Sequence, residues 1–324
     1  MQKIKIVGKN YEIMDAREYM TIPDCFVLKN KIGTGHGEAK FYVGNENLET
    51  LGFFDDYSRK CMLLKEDLKK YIKEAKVEYV SPEQEYKNKS ELSGDWKRYE
   101  KEIELMKNEV IEFHIFRADV APPRIYINSK DGIYNFLRKI ALPQISYLSA
   151  LKLKSGDGEV LYYFKPFIDY HYFGGEDHPS IMEREKIEVE EDIHVEDKEK
   201  EQIVRARIGQ GRYREGLLRE FPYCLMTQVS DERLLIASHI KPWVRSNNKE
   251  KIDSKNGFML TPTCDKLFDR GFISFEDDGS LLISPWISPM NQKKLGLSPR
   301  VKYKFEIDGR QEYLKYHREN IFKG

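Results

Sequence analysis

The stretch that most limits what this chain can become is Leu234 to Gly271, LLIASHIKPWVRSNNKEKIDSKNGFMLTPTCDKLFDRG. LLIASHI is an apolar run of strand length that ends in Ser238 and His239. Ser246 to Asn256 is polar and turn-rich and reads as a loop ending at Asn256-Gly257. Phe258-Met259-Leu260 is a second short strand. Thr261-Pro262 is a helix start, with Thr at the N-cap and Pro at the first helical position. CDKLFDR supplies about two turns, closed by Gly271. The order is strand, loop, strand, short helix.

Spacing turns that order into chemistry. Asp265 and Asp269 are four apart and share one face of the predicted helix. Two carboxylates so close repel unless a cation lies between them, and a hard divalent ion such as Mg2+ suits carboxylate oxygens and water. His239 ends the facing strand, where it can serve as a general base. Asn256 is a candidate for holding that region by hydrogen bonds. Taken singly, each residue has a plainer reading. A lone His after an apolar run is more often structural. An Asp pair is more often a solvated helix face, here with Lys266 and Arg270 at hand to neutralise it. Asn-Gly is a turn. Their order within one compact unit favours metal-assisted hydrolysis of a phosphodiester.

These motifs resemble the HNH (ββα-metal) nuclease family, in its restriction-endonuclease-like branch. The resemblance rests on ASHIKPW (Ala237 to Trp243), NGFMLTPTCDKLFDRGFISF (Asn256 to Phe275), the preceding GQGRYREGLL (Gly209 to Leu218) and the tail YLKYHRENIF (Tyr313 to Phe322). It covers about residues 205–322. It implies that His239 is the base that activates water and that Asn256 is the family's asparagine. It implies that Asp265 stands where the last His or Asp binds metal, with Asp269 as a further ligand one turn on. One Mg2+ or Mn2+ per site is the implied cofactor. Ser238 departs from the pattern, since many members carry Asp or His just before the base. A serine is a poor ligand, so the shell lacks one member or draws it from phosphate or water. Many members also hold a structural zinc with two CxxC pairs. Here the equivalent spots are Cys224-Leu-Met-Thr227 and Thr261-Pro-Thr-Cys264, one thiol each. No four-thiolate site can form from them, so no structural zinc is expected and apolar packing must hold the unit together.

Composition bounds the rest. A chain of 324 residues suggests two domains, and 40% hydrophobic residues with 20 Tyr and 17 Phe can fill their cores. Lys+Arg and Asp+Glu both number 54, so any phosphate-binding surface must be local. The four Cys form no CxxC, which fits a reducing cytoplasm rather than a disulfide framework. No apolar run reaches membrane-spanning length and the first residues lack a signal core, so a soluble cytoplasmic protein with no membrane partner is expected. Glu183 to Glu201 carries ten acids against four bases and reads as a solvated linker. Val204 to Asn247 reverses the sign, with eight bases against four acids. Within it Arg205, Arg207, Arg212 and Arg214 precede or open the predicted helix Tyr213 to Phe221. Guanidinium groups suit phosphate, and Arg212 and Arg214, with Lys241 and Arg270, form the expected DNA-contacting set. Trp243 reads as core beneath the loop.

The first part reads as α+β. Residues 2–14 form a hairpin. Helices are predicted over Ser58–Ala75, Asp95–Asn108 and Ile133–Ile140, and strands over Val110–Phe116, Arg124–Ile127 and Val160–Ile168. Further on, FISFEDDGSLLIS is a hairpin, Arg300–Ile307 a strand and Gln311–Ile321 a helix. Pro23-Asp24 with Glu38-Ala39-Lys40 matches the rival PD-(D/E)xK nuclease arrangement, but Glu-x-Lys recurs at Glu74 and Glu85, so the triplet carries little weight. The expected architecture is therefore α+β with two domains. Residues 1–180 would form a recognition or regulatory domain, 181–202 an acidic linker and 203–324 the HNH-like nuclease domain. The expected function is metal-dependent hydrolysis of double-stranded DNA, as a type II or modification-dependent restriction enzyme. Its partners would be a cognate methyltransferase and, if both strands of a symmetric site are cut, a second copy of itself. The alternatives are a DNA-binding protein with an inactive HNH unit, supported by Ser238 and the missing thiols, and an HNH nuclease of phage defence or mobile elements.

Overall fold

The computed structural model describes residues 2–22, 42–45, 52–168 and 211–324, apart from single positions at 85, 87, 88, 120, 122, 129, 144 and 300. The PD-(D/E)xK residues, the acidic stretch 181–202, Arg205 and Arg207 lie outside the described residues. The chain divides into two compact units, Met1–Ser180 and Ile181–Gly324. Among the described residues no helix is long and apolar enough to cross a membrane.

The first unit is mixed α and β. The expected hairpin forms from β1 (Lys3–Ile6) and β2 (Lys9–Thr21). Then come β3 (Tyr42–Asn45), β4 (Cys61–Leu64), α1 (Lys65–Glu74), α2 (Lys76–Val80) and α3 (Leu92–Glu104). They are followed by β5 (Val110–Phe113), β6 (Ile115–Ala118), β7 (Arg124–Ile127), α4 (Gly132–Ile140), β8 (Ser146–Ser155) and β9 (Val160–Ile168). One sheet has the order β1-β2-β8-β9-β4-β5 and a second the order β3-β7-β6. Among the described residues only β4 and β9 pair parallel. The long helix expected from Ser58 starts later, because CMLL is a strand held between β5 and β9. The core gathers Leu148, Ala150, Tyr162 and Phe164 from the sheet with Leu68, Tyr71, Trp96, Tyr99 and Leu137 from α1, α3 and α4.

The second unit opens with α5 (Arg212–Glu220) and continues through β10 (Ile236–His239), α6 (Asn248–Ile252), β11 (Gly257–Leu260) and α7 (Pro262–Asp269). The hairpin β12 (Ile273–Phe275) and β13 (Leu281–Ile283) follows, then α8 (Pro289–Lys294) and α9 (Gln311–Asn320). Three expectations need correction. The polar loop 246–256 holds a short helix, α6, because Asn247 and Glu250 form a reciprocal capping box. Thr261 sits at the N-cap of α7 but its hydroxyl does not cap the helix. It lies 3.7 Å from the Cys224 sulfur instead. Of the expected strand Arg300–Ile307, the described residues 301–307 do not form one. One bridge joins Ser280 and Lys302, while Tyr303, Phe305 and Ile307 pack on the core.

Two buried polar groups bind the tail of the chain to this core. Arg310 is fully buried, stacked over Phe221 and Phe258 at 5.1 and 5.7 Å, and bonded to Glu220 at 2.7 and 2.8 Å. His317 lies parallel to Phe268 at 4.0 Å, with Nε2 on the Phe268 carbonyl at 3.1 Å and Nδ1 on the Ser274 hydroxyl at 2.9 Å. Beyond α9 the chain returns to the end of α7. Gly271 has φ +67° and no room for a Cβ against the Ile321 carbonyl, and its own carbonyl accepts the Lys323 N–H at 2.8 Å. Lys323 O in turn accepts from the Ser284 hydroxyl at 2.5 Å.

Burial lowers His317 from its usual 6.5 to about 4. The unfolded chain therefore binds the extra proton first, so the stability that neutral His317 confers is complete above pH 6.5 and lost as pH falls toward 4. That gap corresponds to about 3 kcal/mol. Urea unfolding of the second unit at pH 7 and pH 4.5 should show this loss, and His317→Gln should show a clearly shallower one. Equal slopes for the two proteins would refute the assignment.

Candidate active site

The site is built on one antiparallel rung. β10 and β11 pair so that His239 faces Gly257 and Ser238 faces Phe258. α7 packs against both strands. The apolar LIA and FML runs drive the strands into the core, while the polar residues at their ends stay at its margin.

Asn256 is fully buried, and its amide is satisfied on every side. Its Oδ1 accepts the Lys241 N–H at 2.8 Å. Its Nδ2 faces the Lys241 carbonyl at 3.3 Å, the Ser246 hydroxyl at 3.2 Å and the Glu250 carbonyl at 3.1 Å. The side chain thus ties both ends of the 241–250 segment together.

That segment carries the partner of His239. Nε2 of His239 lies 3.0 Å from the Lys251 carbonyl. A carbonyl accepts only, so Nε2 bears the proton in the neutral ring and Nδ1 carries the lone pair. Trp243 stands edge-on to the imidazole at 5.5 Å, half-buried on the core as expected. Tyr213 of α5 lies face to face with it, 4.2 Å away with planes 9° apart. Sequence reasoning did not single out Tyr213. Its signal was the RYREGLL helix itself, whose buried positions are Tyr213 and Leu217.

The acidic residues gather on the same side. The Ser238 hydroxyl donates to Asp269 Oδ1 at 3.4 Å. Burial raises the Tyr213 phenol well above its usual value, and the charge of Asp269 raises it further, ahead of Asp253 and Asp265. Among the carboxylates, Asp269 is the one that acts most strongly on the Tyr213 phenol. Asp269 is half-buried, whereas Asp265 is 6% exposed. Among the described residues no group of three or more His, Cys, Asp or Glu could hold a metal by itself. Mg2+ does not require one, because it keeps several waters and takes only one or two carboxylates, with substrate phosphate completing the shell. Asp269 and Asp265, one turn apart on α7, are the carboxylates that could donate to such an ion, with Ser238 bonded to Asp269.

The basic residues differ in their commitments. Arg214 donates to the Leu235 and Glu232 carbonyls at 3.0 and 2.8 Å, so its guanidinium ties α5 to the approach of β10. Lys241 is paired with Glu250 at 2.7 Å and lies 5.4 Å over the Tyr316 ring. Arg212 opens α5 and Arg270 ends α7 as its C-cap. At the degenerate CxxC spots, the Cys264 thiol donates to the Cys224 sulfur, which holds Cys224 down at about 4 and Cys264 up. The Thr227 N–H adds a bond to Cys224 at 3.4 Å.

Asn256→Ala should destabilise the second unit by about 3 kcal/mol, because it leaves a buried N–H and carbonyls without partners. Asn256→Asp should do at least as much damage, since its second oxygen would face two carbonyls. Chemical denaturation at pH 7 reads both, and a wild-type midpoint for either would refute this role.

No protein of curated function matches the chain. Residues 224–276 match the family model described as HNH endonuclease, so the second unit carries an HNH endonuclease domain.

Proposed function

We propose that this protein is a metal-dependent DNA endonuclease of restriction type, acting on unmodified or modified double-stranded DNA. Residues 203–324 would cut, and residues 1–180 would choose the sequence or the modified base. The observation that carries the reading is His239, whose Nε2–H is held by the Lys251 carbonyl and whose Nδ1 is thereby the basic nitrogen beside a serine–carboxylate pair. Nδ1 of His239 takes the proton from the attacking water. Asn256 keeps the Lys251 segment, and with it the imidazole, in place. Asp269 and Asp265 would hold one Mg2+ or Mn2+, next to Ser238. That ion supplies Lewis-acid stabilisation of the charge that builds on the phosphate and the leaving oxygen. Arg212, Lys241 and Arg270 are the candidate phosphate contacts. Lys241 would exchange Glu250 for phosphate.

Ser238 favours a second reading, an HNH unit that binds DNA without cutting it. A hydroxyl stands where a stronger ligand is usual, and here it is bonded to the carboxylate beside it.

The test is incubation of the purified protein with methylated and unmethylated plasmid DNA in Mg2+, Mn2+ or EDTA. Discrete metal-dependent fragments are expected, with the rate lowered about 1000-fold in His239→Ala and strongly reduced in Asp269→Ala. Wild-type cutting by either variant sinks the role given to that residue. Salt-dependent DNA binding with no cutting on any substrate would favour the second reading.

A further inference from the structure

We infer that Tyr213 is a positioning residue for His239, holding the imidazole in one plane, and that residue 257 is glycine so that the Tyr213 hydroxyl can reach the strand ends. This rests on the reading of His239 as the base. One hydrogen bond fixes an imidazole poorly, because the ring can still turn about the Nε2–carbonyl axis. A flat partner 4.2 Å away with planes 9° apart removes that rotation, and Trp243 contacts the same ring edge to face at 5.5 Å.

Tyr213 is itself fixed from the site. Its hydroxyl lies 3.3 Å from both the Ser238 carbonyl and the Asn256 carbonyl, the residues next to His239 and Gly257 on the two strands. The platform, the base and the loop-holding asparagine are thus joined through one rung. A carbonyl accepts only, so the Tyr213 hydroxyl is the donor to these strand ends. Gly257 is extended, with φ −165°, so no backbone strain demands a glycine there. Space does. A Cβ would overlap the Tyr213 hydroxyl and lie 2.8 Å from the Ser238 carbonyl and 3.0 Å from a Leu217 methyl. The Asn-Gly pair that reads in sequence as a turn is in fact a clearance for this phenol.

The experiment compares wild type, Tyr213→Phe, Tyr213→Leu, Gly257→Ala and His239→Ala. It measures single-turnover cleavage across pH, DNA affinity in EDTA, and folding by circular dichroism. Phe keeps the ring and should lose less than tenfold in rate with the pH profile retained. Leu removes the platform and should lose about 100-fold in rate, with a displaced pH profile and with DNA affinity within threefold of wild type. Gly257→Ala should fall between them. A folded, DNA-binding Leu variant with wild-type rate and pH profile overturns the inference. If the Leu variant does not fold, His239→Gly supplies the answer, because the slot between Tyr213 and Trp243 should admit free imidazole and restore cutting. Absence of that rescue would also overturn it. Wild-type cutting by His239→Ala is a separate result, which removes the base assignment itself.

Discussion

The geometry around His239 depends on one buried amide. The segment between β10 and β11 is mostly polar and charged, and only Ile240, Trp243 and Ile252 pack on the core. Asn256 substitutes for a core there. It closes on Lys241 and Glu250 at the two ends of the segment and on Ser246 between them. The Lys251 carbonyl, which sets the tautomer of His239, follows directly from that closure. A network of this sort is stable only when every member is satisfied, and this one is. Its rigidity comes from directional bonds, which fix angles more sharply than apolar contact does.

Around that polar centre the unit is held by aromatic packing. Phe258 sits amid Phe221, Phe268, Phe275 and Phe305, each tilted edge to face at 5.1 to 6.1 Å. Arg310 lies over two of these rings, so the charge is buried against π-faces and paired with Glu220. At the margin, the free thiol of Cys264 hydrogen-bonds to the Cys224 sulfur, which Thr227 and Thr261 also approach. Two thiols and two threonines thus make a hydrogen-bonded knot where four thiolates would make a metal cage.

The sequence made the order β10, loop, β11, α7 legible because Gly, Pro and Asn mark each boundary, and those residues act locally. The places of Asp265, Asp269, His239 and Asn256 on those elements could be read for the same reason. What could not be read depends on distant partners. β8 is buried along both faces, so SYLSALKLKS shows no clean alternation to mark it as the centre of its sheet. Among the described residues, 301–307 have strand composition but find only one bridging partner. Arg310 looks like any surface arginine until Phe221, Phe258 and Glu220 converge on it. Tyr213 and Gly257 are separated by more than forty positions in the chain, and only the fold shows that one makes room for the other.

The return of the tail onto Gly271 bears on how the protein is handled in practice. Ile321 and Lys323 clasp the end of the helix that carries Asp265 and Asp269, through a contact too tight for any side chain and one backbone bond. The last residues are thus a handle on the carboxylates. Altering Ile321 or Lys323 would tug on the candidate metal helix, whereas a label carried on the exposed face of α8 would leave it undisturbed.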